Sequence, residues 1–524
     1  MRRAIEGDGR FSSVGRVSIY INVLRFFLAL SLSFSLFVLF VGLKNPIMDM
    51  YSFRQTQTAL TSYWLLHGGP WIAYETPVLG APWAMPFEFP VYQLIVSALA
   101  MLGVPLDVAG RLVNFGFFLG TLGPLWLLFR ALRLGPASYL ATAILYVLSP
   151  LYLYWSRTFL IESCALFFSM LWLALLAHYL TRGGWVFVAG AVVAGCLAVL
   201  AKSTTFPAFV LVGGLGAAWT LIARLRGGER LIRLLAEALI LSLTVIVPFT
   251  IAWVWVSYSD QVKLANEFGS HLTSTALSSW NFGTLDQKLS AHLWKDIILA
   301  RILPDIAGSF YLMAVAVIVF GLVLRKSAVF ALIAIVGFFS SIMLFTNVHM
   351  VHNYYQVANG LFLIMATGIA LGAMFDRGLR AISLLCLMVI GVGQYLFFQK
   401  IYSEVIKNDH VQDRTLQIAL IAKAQTQPSQ SLLVIGEDWS SAVAYYSERK
   451  SLTLPAWATR ANIERVFADP QAFLGDRPLG GIVFCANRAA DYGAAAPLVQ
   501  SFVADRAVMG EFGGCQLLAA QRSS

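Results

Sequence analysis

Residues 24–43 read LRFFLALSLSFSLFVLFVGL, twenty positions of which only Arg25 is charged. A helix rising 1.5 Å per residue covers about 30 Å over such a run, the thickness of a bilayer's hydrocarbon core. Comparable apolar runs, separated by short polar breaks, recur as far as residue 399. The 524-residue chain as a whole is 58% hydrophobic and only 12% charged, with a mean hydropathy of +0.72. Soluble domains carry about twice that charge. A disordered chain, a disulfide scaffold and an ordinary soluble enzyme are excluded, and a polytopic helical membrane protein remains.

The formal net charge of +10 invites a nucleic-acid partner, but the position of the arginines points to topology instead. Arg2, Arg3, Arg10 and Arg16 precede the first span, and GLKNPIMDM after it offers no small-x-small cleavage site. The first helix therefore reads as uncleaved, with a cytoplasmic N-terminus. Later basic breaks fall at Arg130/Arg133, Arg182, the run from Arg224 to Arg233, Arg325/Lys326 and Arg377/Arg380. Between them, residues 258–304 hold four basic and four acidic residues, and the tail 400–524 holds twelve of each. The positive-inside rule puts the arginine breaks in the cytoplasm, and loops of about 44–89 and 258–304 and the tail outside. Spans are expected near 22–43, 90–131, 137–153, 158–180, 185–201, 205–223, 233–257, 305–324, 328–346, 355–374 and 380–399. That makes eleven crossings. The stretch 90–131, split by GVPLDVAGR, reads either as one crossing with a re-entrant or interfacial helix or as three crossings, which would make thirteen.

The sequence divides into a transmembrane domain over 1–401 and a small α/β domain over 402–524. SLLVIG (431–436), GGIVFCA (480–486) and CQLLAA (515–520) have the pattern of short strands. Segments near 440–448, 460–468 and 493–504 read as helices. Cys164, Cys196 and Cys386 fall in spans, where a thiol is a small hydrophobe. Cys485 and Cys515 fall in the oxidising compartment, where a disulfide between them and two free thiols are equal readings.

Ionisable groups at a membrane are costly and are functional candidates by default. Those unexplained by topology gather on one face: Asp49, Arg54, Glu75 and Glu88 in the first loop, and Arg157 and Glu162 at the next external turn. Lys202 in VLAKSTTFP and His349 and His352 in TNVHMVHNYYQ complete the set. Transporters more often hold such groups at the midplane between repeated halves. Clustering at one interface suits a reaction between an embedded lipid and an external acceptor. In the first loop, Asp49 precedes a polar helix, FRQTQTALTSYWLLHGG, and Phe87-Glu88-Phe89-Pro90 opens the next span.

This order resembles the GT-C glycosyltransferases, specifically family 39, which includes the protein O-mannosyltransferases and the lipid A aminoarabinose transferases. GRLVNFGFFLGTLGPLWLLFRALRLG, LSPLYLYWSRTFLIESCALFF, LAKSTTFPAF and HNYYQVANGLFLIMATGIAL resemble further family segments in the same order. Relatives often carry an acidic pair where Met48-Asp49-Met50 has one acid, and an Asp where Glu162 stands. The resemblance implies a GT-C helical bundle with juxtamembrane helices. It also implies a polyprenyl-phosphate sugar donor and inverting transfer to a lipid, glycan or protein acceptor at the exoplasmic face of a bacterial inner membrane.

Such a displacement needs a base, cations for the departing phosphate and an apolar groove. The resemblance makes Asp49 the base; if the acceptor is itself a phosphate, Asp49 orients it instead. Lys202, His352, Tyr354 and Tyr355 are expected at the donor phosphate, with Arg54 and Arg157 as further cations. Lys202 also reads as a snorkelling interfacial lysine. Glu88 is expected to orient the loop or contact sugar. Glu162 is assigned likewise, with simple pairing to Arg157 as the competing reading. No cofactor is assigned; a divalent ion on His349, His352 and Glu88 is the weaker alternative, because the two histidines at i and i+3 would share a helix face. His67, His178 and His410 receive no role. Membrane lipids are the remaining partners, and nucleic acid is not among them. The rival functions are a flippase of lipid-linked sugars and a non-catalytic exoplasmic assembly protein.

Overall fold

With no water to bond in hydrocarbon, a spanning backbone must satisfy its own polar groups, and the apolar runs become helices. The computed structural model describes residues 5–324 and 328–521; Arg2, Arg3, Arg325 and Lys326 of the expected cytoplasmic breaks lie outside them. The chain opens with α1 (Ile5–Phe40), α2 (Ser52–Leu66), α3 (Val91–Ala100), α4 (Leu106–Gly120) and α5 (Leu122–Ala131). Next come α6 (Pro136–Leu148), α7 (Pro150–Trp155), α8 (Glu162–Arg182), α9 (Trp185–Ala201), α10 (Phe206–Arg226) and α11 (Leu231–Leu264). Beyond a second long connection holding α12 (Ser278–Phe282) and α13 (Leu285–Leu289), a π-helical turn His292–Ile302 leads into α14 (Leu303–Ala307). The helical body ends with α15 (Tyr311–Val323), α16 (Ala328–Leu344), α17 (Thr346–Val351), α18 (Val357–Asp376) and α19 (Arg380–Ile401).

Among the described residues seven helices are long and apolar enough to cross a membrane, or eight when His292–Ala307 and Tyr311–Val323, bent by 87°, count as one span. Shorter apolar helices at Val91–Ala100, Pro136–Leu148, Trp185–Ala201 and Ala328–Leu344 stand beside these, at positions where further crossings were expected. The expected span 137–153 is broken at Ser149, whose ψ of 126° is what a following proline imposes, leaving α6 only 13 residues long. The helices at 185–201 and 328–344 have 17 residues each and rise about 25 Å. The stretch 90–131 resolves into a short helix, α3, and one crossing, α4–α5. The second loop is shorter than expected, because α11 continues to Leu264.

The helix α18 is buried at every residue from Val357 to Phe375 and forms the centre of the bundle. Its glycines permit this. A Cβ at Gly368 would lie 2.0 Å from Thr142 Oγ1, and one at Gly372 would lie 1.8 Å from Ser138 Oγ, both in α6. Small residues let membrane helices approach backbone to backbone.

The tail forms a five-stranded sheet in the order β2-β1-β3-β5-β4, built from β1 (Ser431–Ile435), β2 (Lys450–Thr453), β3 (Leu479–Cys485), β4 (Val508–Phe512) and β5 (Cys515–Leu518). β1 runs parallel to β2 and β3, and the other pairs are antiparallel. The strands β2 and β4 and a helix at Arg414–Gln425 were not expected. Cys485 and Cys515 face each other across β3 and β5 and are joined by a disulfide.

The first loop covers the edge of β2: Ser451 N donates to Pro77 O (3.0 Å), Thr453 N to Val78 O (2.8 Å) and Gly80 N to Ser451 O (3.0 Å). Lys450 pairs with Glu75 at 2.6 Å, and Tyr445 and Tyr446 both donate to Asp107 of α4. Covering an edge strand satisfies its backbone groups and fixes the sheet on the helical body.

Candidate active site

A cavity of about 770 Å³ lies between the helical body and the sheet. Its apolar wall comes from the C-terminal halves of α9 and α11, at Val199, Leu200, Ala252, Trp255 and Val256. The first loop contributes Tyr51, Phe53, Arg54, Phe87 and Glu88, and the turn after α9 contributes Lys202 to Thr204. His352, Tyr354 and Tyr355 close another side, and the loops of the sheet add Asp438, Trp439 and Trp457.

Lys202 sits where α9 ends, with its side chain buried. Its ammonium lies 2.6 Å from Glu162 Oε1, 3.8 Å from the centroid of the Tyr355 ring and 5.2 Å from that of Tyr354. A carboxylate and two ring faces thus hold the cation in place. Arg54 NH2 lies 3.2 Å from Glu88 Oε1, and NH1 donates to Gln57. Burial alone would lower Arg54, but Glu88 and the phenols of Tyr354 and Tyr355 hold it above its ordinary value. The ring of His352 stacks on Tyr354 (5.2 Å) and Tyr355 (5.8 Å) and meets Tyr51 edge-on. Burial, with Arg54, Lys202 and Arg301 nearby, lowers His352 to about 4. It is therefore neutral at pH 7 and offers a hydrogen bond rather than a charge. Its Nδ1 is buried with no hydrogen-bond partner among the described residues. Tyr51 holds a left-handed φ of 56°, and its hydroxyl donates to Val351 O at 2.9 Å. Backbone strain of this kind in a tyrosine persists only where surrounding contacts fix it.

Other expected site residues lie elsewhere. Asp49 is absent from the cavity wall: it is buried, accepts from Gln55 Nε2 and faces Arg157 NH1 at 3.6 Å. Gln55 Oε1 in turn accepts from Phe159 N (2.9 Å), and Arg157 NH2 donates to Val41 O (2.8 Å). Asp49 and Arg157 thus clamp the first loop to the turn before α8. The pairing of Arg157 with Glu162 does not form, because Glu162 turns to Lys202.

The alternative metal set of His349, His352 and Glu88 does not converge either. The helix α17 ends at Val351 and His352 is extended, so the two histidines share no helix face. His349 Nδ1 bonds Gln356 Oε1 at 2.7 Å, while Glu88 pairs with Arg54. Among the described residues the one close cluster of metal-ligand types is Glu437, Cys485 and Cys515, whose sulfurs are spent in the disulfide.

Sequence reasoning missed Asp260 and Lys263, which line the cavity from the last turns of α11. Lys263 Nζ lies 3.2 Å from Asp260 Oδ1, and Asp260 accepts from both the backbone and the hydroxyl of Ser274. Their i, i+3 spacing at the end of an apolar helix was the available signal. Trp439 and Trp457 were missed as well.

The helical body and the sheet together define a multi-pass membrane protein with the fold of the GT-C membrane glycosyltransferases. The solved structure of ArnT from Cupriavidus metallidurans bound to undecaprenyl phosphate aligns over 94% of this chain and 97% of its own, with a TM-score of 0.64 at 14% identity. The Archaeoglobus fulgidus oligosaccharyltransferase in complex with zinc and sulfate aligns over 90% of this chain and 70% of its own (TM-score 0.53, 13% identity). The mycobacterial arabinofuranosyltransferase AftD aligns over 95% of this chain and 40% of its own (TM-score 0.52, 13% identity). No protein-family model and no curated protein sequence matches the chain.

Proposed function

We propose that this chain is an integral membrane glycosyltransferase that moves a sugar from a polyprenyl-phosphate donor to an exoplasmic lipid, glycan or protein acceptor. The observation that carries this reading is the graded cavity, apolar along α9 and α11 and cationic at Lys202 and Arg54. The ArnT structure, whose fold this chain shares, contains undecaprenyl phosphate. A prenyl chain suits the apolar wall and its phosphate suits the cations. In an inverting single displacement, the acceptor oxygen attacks the anomeric carbon while the carbon–oxygen bond to phosphate breaks, and its electron pair leaves with the phosphate. Lys202 and Arg54 stabilise that developing charge, and the neutral His352 donates a hydrogen bond to it. Glu88, a carboxylate on the cavity wall, is the acid we assign to take the acceptor's proton. Asp49, buried in its clamp with Arg157, is assigned the positioning of the first loop.

The test is transfer by the purified full-length chain in lipid nanodiscs, with a panel of polyprenyl-phosphate sugars. Wild type is expected to consume one donor and release polyprenyl phosphate, and Lys202→Met to lose this at least a hundredfold. Consumption of no donor with any acceptor, or full activity in Lys202→Met, would refute the reading.

A further inference from the structure

Trp439 and Trp457 occupy equivalent places in the sheet. Each stands four residues beyond the carboxyl end of a parallel strand, Ile435 for β1 and Thr453 for β2. Ligands of open α/β sheets bind in the crevice outside those strand ends. Here the crevice faces the cavity, whose wall includes both indoles.

The two loops are built as one unit. Ala456 N donates to Asp438 Oδ1 at 2.7 Å, joining the loop after β2 to the loop after β1, and Asp438 holds a left-handed φ of 49°. The indole rings meet edge-on with centroids 5.6 Å apart. Trp439 also lies 4.9 Å from the ring of Phe53 and 6.1 Å from that of Phe87, whose face lies 6.0 Å from the Arg54 guanidinium. The tryptophan pair is therefore one aromatic ring away from the cation we assign to phosphate. Trp457 Nε1 is a buried donor with no hydrogen-bond partner among the described residues. Such a donor is costly unless a ligand satisfies it. Asp438 and Asn281 supply polar groups on the same wall.

Aromatic faces beside a few directional polar groups recognise a ligand with one apolar face and a polar rim. A carbohydrate ring has that form, with C–H groups on its face and hydroxyls around its edge. We infer that Trp439 and Trp457 form a sugar-ring subsite, contributed to the cavity by the C-terminal sheet, that selects the carbohydrate next to the phosphate. This rests on the transferase reading for the position of the phosphate. The ring has two sources, the donor's sugar or a sugar of the acceptor.

The experiment uses the full-length chain in nanodiscs, labelled with 5-fluorotryptophan, with the two resonances assigned through Trp439→Phe and Trp457→Phe. The titrants are undecaprenyl phosphate, undecaprenyl-phosphate sugars and soluble methyl glycosides. Both resonances are expected to move with sugar-bearing ligands and to stay fixed with undecaprenyl phosphate alone. Movement with the sugar-bearing lipid assigns the subsite to the donor, and movement with methyl glycosides alone assigns it to the acceptor. Trp439→Leu is expected to weaken the sugar-bearing ligand at least tenfold, with undecaprenyl phosphate held within twofold and Trp439→Phe retaining affinity. Resonances that stay fixed with every sugar, or that move equally with the bare lipid phosphate, overturn the inference. The glycoside titration reads the subsite even if no donor is consumed, so failure of the transferase reading is seen separately.

Discussion

Lys202 and Glu162 form a buried ion pair at 2.6 Å, contributed by the end of α9 and the start of α8, with each side chain only 4% exposed. A pair so placed contributes little net stability, yet removing one partner strands a charge, at a cost of about 3–5 kcal/mol. The carboxylate neutralises Lys202, and a donor phosphate would share the same ammonium.

Lys202→Met is therefore expected to lower the unfolding temperature and to abolish polyprenyl-phosphate binding. Adding Glu162→Gln removes the stranded carboxylate. The double variant should recover most of the unfolding temperature while remaining unable to bind. Thermal unfolding by tryptophan fluorescence and a lipid-phosphate binding assay measure the two effects. Recovery of binding in the double variant would exclude Lys202 as a phosphate ligand.

The two first-loop acids should separate in the same measurements. Asp49→Asn leaves the buried Arg157 guanidinium without its counter-charge, and we expect stability and activity to fall together. Glu88 is partly exposed on the cavity wall, with 23% of its side chain accessible. Glu88→Gln should reduce kcat at least a hundredfold for a hydroxyl acceptor and shift the unfolding temperature by little. An inactive Asp49→Asn with wild-type stability would return the role of base to Asp49.

Much of this arrangement was legible in the sequence. Spacing and arginine placement gave the helical bundle, and clustering of charge near Arg54, Lys202 and His352 gave the cationic end of the cavity. Partner choice was not legible. Arg157 and Glu162 are five residues apart, but the turn between α7 and α8 sends one to Asp49 and the other to Lys202. The complete burial of α18 was hidden too, because a lipid-facing helix and a bundle-centre helix are equally apolar. Trp439 and Trp457 look like ordinary tail residues until the parallel pairing of β1 and β2 sets their loops side by side.

The histidines predict a pH dependence. Burial, aided by the nearby cations, lowers both His349 and His352 to about 4, whereas an unfolded histidine titrates near 6.5. Between those values the unfolded chain binds more protons, so stability rises with pH. Their contribution is present in full above about pH 6.5 and is lost as pH falls toward 4. The unfolding temperature of wild type should drop between pH 7 and pH 5, and His352→Gln should flatten that slope. A slope unchanged in both His352→Gln and His349→Gln would place the acid sensitivity elsewhere.

The orientation of the chain can be argued from two independent features. Arginines of the short turns, including Arg224, Arg226, Arg230 and Arg233, favour the cytoplasm by the positive-inside rule. The disulfide between Cys485 and Cys515 calls for an oxidising compartment, and these residues belong to the sheet whose loops line the cavity. Both support the proposal that the first loop, the second loop and the tail lie outside. Three exposed positions test this: Trp71 in the first loop, Leu289 in the second and Leu231 beside the arginine turn, at 65%, 72% and 57% exposure. In intact cells a membrane-impermeant maleimide should label Trp71→Cys and Leu289→Cys but not Leu231→Cys, which should react only after permeabilisation. The reverse pattern would put the cavity in the cytoplasm, where a reducing environment would not sustain the disulfide, and the exoplasmic transfer reaction would have to be abandoned.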